Sequence, residues 1–136
     1  LSLRKFDDGI VRANYSIDIH NPDGSGTVLK HLPNNDNYEI PYRCLIPKGS
    51  KNLLVAGRPI SATHEAHSSL RIMPICTGIG QAAGIAAYLI LQKSILPIQL
   101  DYNELRQRLI KQGQNLSRPE GKMHERREVV WIEYYE

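Results

Sequence analysis

The chain has 136 residues, of which 41% are hydrophobic and 23% charged, and carries a net charge of +3. That balance leaves room for one domain with a modest core and excludes a disordered chain, and the charge is too small to imply a nucleic-acid partner. Its two cysteines, Cys44 and Cys76, lack a CxxC spacing, so the sequence predicts buried free thiols rather than a disulfide framework or a zinc site.

No apolar run approaches the roughly 20 residues that cross a bilayer, so no membrane partner is expected. The longest run, residues 85–91, reads as about two turns of buried helix. Nothing reads as a secretory signal, and the first residue is Leu, the start expected of a mature chain, an excised domain or a piece of something longer. The compartment stays open.

In chain order, Val11, Ala13, Tyr15, Ile17 and Ile19 alternate with Arg12, Asn14, Ser16, Asp18 and His20, which predicts one half-buried strand. Residues 21–26 are dense in turn formers, and a second short strand is expected over 27–32. Residues 38–46 read as extended but broken by Pro41, which fits an edge strand or strap because proline cannot donate to a ladder. Leu53, Leu54, Val55 and Ala56 are apolar on both faces, the pattern of a strand covered on two sides in a parallel sheet.

Ser61 or Thr63 is placed to cap a short helix reaching about Leu70, with Glu65 in its first turn. Pro74 suits the start of the next helix, which runs to about Lys93 and carries Gly80, Ala83, Gly84 and Ala87 on one face. A third helix opens on Asp101 as N-cap, with Glu104 at N3 and Leu100 as staple, presents Leu105, Leu109 and Ile110, and stops at Gly113. Residues 117–128 read as a charged linker, and 129–135 could add a strand. Three regions are therefore expected: a strand-rich segment over 1–51, a strand with helices over 52–116, and a tail over 117–136. The fold class is α/β (or α+β), a few strands plus two or three helices.

Gly78-x-Gly80-x-x-x-Gly84 mimics a dinucleotide fingerprint, but no first strand of a βαβ unit precedes it and no acidic strand end follows. His64 and His67 are spaced i,i+3 without an obvious third ligand, so no metal is expected; a histidine near a cofactor or substrate and an inert surface histidine both remain open. Arg58 and Arg71 sit beside apolar stretches, as salt-bridged arginines or as bidentate anion binders. The basic cluster Arg118, Lys122, Arg126 and Arg127 reads as a solvated tail.

Residues 52–88, with the blocks Ile40-Pro41-Tyr42-Arg43 and Tyr15-Ser16-Ile17-Asp18-Ile19-His20, closely resemble the C-terminal part of the FAD-dependent oxidoreductase family, distantly similar to the flavoprotein subunits of succinate dehydrogenase and fumarate reductase. The resemblance covers about residues 3–116. It implies that residues 53–57 form a strand ending at the flavin, and that Gly80, Gln81, Ala82 and Ala83 form a helix N-terminus facing its pyrimidine edge. Gly57, Arg58, Gly80, Gln81, Ala82 and Ala83 would thus line FAD in the full-length parent, and His64 and Arg71 would stand near its reactive face, without an assigned proton-transfer role. Many relatives have Gly-Asp where this chain has Gly57-Arg58.

The 136 residues contain no N-terminal glycine fingerprint, so the ADP half of FAD has no visible site. The expectation is a C-terminal flavin-binding fragment, inactive alone, that works with an N-terminal FAD-binding region on a small-molecule substrate. Self-association would cover faces left bare. The alternative is a non-catalytic binding or structural module with a flavoprotein-like core.

Overall fold

The computed structural model describes residues 5–33 and 36–116. The linker, basic cluster and strand expected over 117–136 lie outside the described residues. Strand β1 (Gly9–Ala13) pairs antiparallel with β4 (Tyr38–Pro41), and β2 (Ile17–His20) pairs antiparallel with β3 (Thr27–Lys30). Helices α1 (His64–Leu70), α2 (Met73–Lys93) and α3 (Tyr102–Lys111) follow. Strands precede helices and pair antiparallel, the α+β form of the expected class.

The single strand expected over 11–20 is two strands with a break at 14–16. Burial alternation lapses with the pairing, Asn14 and Tyr15 both being exposed, because the chain leaves β4 and takes β3 as its new partner. The Tyr15 carbonyl accepts from the Ser69 hydroxyl at 2.6 Å instead of from a neighbouring strand. Ser69 spends its one proton there, so the Tyr38 hydroxyl donates to Ser69 at 2.7 Å. Burial pushes the Tyr38 phenol up to about 12. β4 ends at Pro41 and passes into a short 3-10 helix, Tyr42–Leu45.

The core lies between β1, β4, α2 and α3, with Ile10, Tyr42, Leu45, Ile79, Leu89, Leu105 and Leu109 fully buried. α2 approaches β1 closely at Gly78, where a Cβ would meet Gln114 Nε2 at 3.1 Å and Val11 Cγ2 at 3.4 Å. Buried Asp8 is satisfied by Arg43, which donates from Nε at 3.0 Å and from Nη2 at 2.5 Å. α3 begins as expected, with Asp101 accepting from the Asn103 amide at 2.9 Å and Gly113 at φ +90° just past its end. Glu104 does not close a capping box; its carboxylate pairs with Lys93 of α2 and faces Arg108 at 3.8 Å. Ile110 is 49% exposed, while Leu105 and Leu109 are fully buried and face the core.

Two further expectations change. Residues 53–56 form no strand; they run extended, and Val55 N–H donates to the Leu45 carbonyl at 2.8 Å. Leu53 is 52% exposed, so the apolar run is not covered on both faces. A strand needs a paired neighbour, and none stands beside it among the described residues. α2, for its part, is apolar enough over its 21 residues to cross a membrane by length and composition. Small and polar residues interleaved with the Ile and Leu positions hide that length from a search for unbroken apolar runs. Its buried positions Ile75, Ile79, Ala82, Ile85, Ala86 and Leu89 make it the central core helix.

Candidate functional site

Residues 53–56 lead to Gly57, which adopts φ +77°, a conformation that costs an ordinary L residue about 1–2 kcal/mol. A Cβ at Gly57 would meet nothing within 4 Å, so the conformation, not crowding, selects glycine. The chain turns there and presents Arg58. The Arg58 Nε donates to the Arg71 carbonyl at 3.1 Å, and the Arg58 carbonyl accepts from His67 Nε2 at 3.0 Å. Because a carbonyl only accepts, the His67 proton sits on Nε2.

Both partners come from α1 and its C-cap. Thr63 caps this helix by accepting from the Ala66 amide at 3.3 Å, and Glu65 lies in the first turn, as expected. Arg71, the C-cap residue, donates from Nη2 to the Asp18 carbonyl at 3.2 Å, and its Nη2 lies 4.0 Å from Asp18 Oδ2. The same carboxylate faces His20 at 3.7 Å. The Asp18 amide donates to Ser68 Oγ at 3.3 Å, and that hydroxyl donates to the Glu65 carbonyl at 2.7 Å. A continuous polar seam therefore runs from the Gly57 corner across α1 to β2.

His64 and Arg71 do not converge. They stand at the two ends of α1, seven residues or about 10 Å apart along its axis, and His64 is exposed. Among the described residues no group of three His, Cys, Asp or Glu could hold a metal.

The resemblance implied a helix N-terminus at Gly80, and the structure corrects it. α2 opens at Met73, with Pro74 in its first turn and no side-chain cap. Gly80 lies about 10 Å further along the axis, so the amides of Gly80, Gln81, Ala82 and Ala83 point at carbonyls four residues back within the helix. The amides without an intrahelical partner are those before Cys76, whose N–H makes the bond to Ile72 at 3.0 Å. Ala82 is fully buried and faces the core. Gly80 and Gly84 are exposed, and a Cβ at either would meet nothing within 4 Å. With Met73 (77% exposed) and Leu91 (79%), they form a bare apolar side of α2.

Arg58 and Arg71 were legible as candidates and His67 as one of an i,i+3 histidine pair, whereas Asp18 and Ser68 were not. Asp18 carried a faint signal, lying on the polar side of a strand that otherwise reads as half-buried.

A positive-φ glycine corner, and a helix side of small residues that no described residue covers, each let a ligand approach backbone closely. The family model for FAD dependent oxidoreductases matches residues 1–109, and the chain belongs to that family. No curated protein and no solved structure matches it.

Proposed function

We propose that this chain is the C-terminal, flavin-closing region of an FAD-dependent oxidoreductase, working with a separate region that binds the ADP half of the cofactor. The observation that carries the reading is the bare glycine side of α2 in a chain whose family uses FAD. Glycine inside a helix costs roughly 0.5–1 kcal/mol relative to alanine, and at Gly80 and Gly84 no contact among the described residues repays that cost.

FAD, when bound, supplies the hydride and electron chemistry. This chain's residues bind and orient it. The Gly57–Arg58 corner and Gly80, Gln81 and Ala83 of α2 would hold the cofactor. Anion stabilisation moves from the amides expected at Gly80 to those opening α2 at Met73 and Ile75, where the helix dipole is positive. Arg71 and His64 lie on the substrate side; Arg71 is held by Asp18 and orients a small-molecule substrate. The bare side of α2 spans about 27 Å from Met73 to Leu91, so its outer parts contact the ADP-binding region.

The test is assembly with that region. Wild-type chain should yield a yellow complex with FAD, whereas Gly80→Leu with Gly84→Leu should fold and yield a colourless one. Equal flavin content in the two would refute the reading.

A further inference from the structure

The Gly57–Arg58 corner is framed by two backbone bonds to the Tyr42–Leu45 helix. Val55 donates to Leu45 at 2.8 Å on one side, and Ser61 donates to the Cys44 carbonyl at 3.1 Å on the other. Between these anchors Gly57 holds φ +77°, with no atom of the described residues within 4 Å of where a Cβ would stand. Packing therefore does not impose the conformation of Gly57. Two hydrogen bonds from neighbouring Arg58 reach α1: Nε to the Arg71 carbonyl, and the backbone carbonyl to His67 Nε2.

The two bonds differ in kind. The first fixes a long side chain, while the second fixes the Arg58–Pro59 peptide group, and through it the ψ of Arg58. His67 is itself fixed, because it sits in the last turn of a helix whose next residues, Ser68 and Ser69, are buried and hydrogen-bonded to residues 15–18. The imidazole is thus a donor on an anchored helix, and it meets the Arg58 carbonyl.

We propose that His67 is a positioning residue: its Nε2–H holds the Arg58 carbonyl and so fixes the Gly57–Arg58 corner in the form that meets the cofactor. The role rests on the flavoprotein reading; the clamp itself does not. It assigns His67 a purpose apart from metal or proton transfer, and it explains why His64, one turn earlier, carries none of this geometry.

The test pairs His67→Gln, which keeps an N–H donor at similar reach, with His67→Leu, which keeps bulk and loses the donor. In the chain itself, amide exchange at Val55 and Ser61 should run about fivefold faster in His67→Leu, the factor one net hydrogen bond provides, and stay within about twofold of wild type in His67→Gln. Exchange at Leu89, in the core, should not change. Identical exchange in all three proteins, or no restoration by Gln, overturns the clamp.

In the flavoprotein assembled with the ADP-binding region, the FAD dissociation constant should rise about fivefold for His67→Leu and recover with Gln, because a smaller fraction of the chain holds the competent corner. Faster exchange with unchanged FAD affinity overturns the positioning role. A wild-type assembly that binds no FAD sinks the flavoprotein reading instead, and the positioning role falls with it whatever the exchange shows.

Discussion

Replacing Gly80 and Gly84 together by alanine should stabilise the isolated chain. Both are exposed positions in the interior of α2, and a Cβ built at either meets no heavy atom within 4 Å. The substitution therefore meets no steric penalty and reduces the backbone freedom of the unfolded chain, at about 0.5–1 kcal/mol per site, or roughly 1–2 kcal/mol for the pair. For a chain of this size that corresponds to a rise in Tm of roughly 5 °C, followed by circular dichroism at 222 nm, a wavelength at which helix dominates. Gly78→Ala is the internal control. Its Cβ would press on Gln114 Nε2 at 3.1 Å and touch Val11 at 3.4 Å, so the helical gain should be cancelled or reversed. In the FAD-loaded assembly the same Gly80/Gly84 pair should weaken flavin binding, since two methyl groups would enter the space the ring needs. A fall in Tm for the isolated double variant would refute the argument, because it would mean that the chain already uses that side of α2.

Three other outcomes follow from the core. Burial, with Asp8 adding to it, pushes the Cys44 thiol up to about 11, so alkylation of the native chain should label Cys76 and reach Cys44 only on unfolding; mass mapping after a brief iodoacetamide pulse checks this. Stability should fall on the alkaline side. The folded values of Cys44 (to about 11) and Tyr38 (to about 12) stand above their ordinary ones of 9.0 and 10.0, and Tyr42 is displaced the same way by burial, so their contribution is intact below about pH 9 and is lost by about pH 12, as urea midpoints across that range would record. Leu109→Ala should cost about 2–5 kcal/mol by leaving a cavity at a fully buried site, whereas Ile110→Ala, half exposed, should cost less than about 1 kcal/mol; urea unfolding separates the two.

What could be read from the sequence was local. The Asp101 cap, the Gly113 stop, the Thr63 cap and the Pro74 start all depend on residues within one turn of each other, and each stands where the pattern put it. The turn at 21–26 likewise closes the β2–β3 hairpin. What could not be read was decided across the chain. The break at 14–16 depends on Ser69, 54 residues away, and Asp18 meets Ser68 and Arg71 across 50 and 53 residues. The run at 53–56 has a strand's composition, but pairing is a property of two segments, and composition reports only one.

The candidate site divides in the same way. Gly57, Arg58 and Arg71 stood out by type and neighbourhood, and they do gather at one corner. His67 was visible only as half of a failed metal spacing, since nothing in the pattern says which carbonyl its ring will meet. The resemblance put a helix N-terminus at Gly80, whereas Pro74, six residues earlier, marked the start that the structure shows.

The most direct test of the central claim is a titration of the isotopically labelled chain with FMN, the flavin half of the cofactor, followed through its amide resonances. Shifts concentrated at Gly57, Arg58, Met73, Ile75, Gly80 and Gly84 are the predicted result. Shifts confined to the shallow polar depression formed by Asp7, Asn103, Arg106 and Leu116, or no shifts at flavin concentrations approaching millimolar, would contradict it.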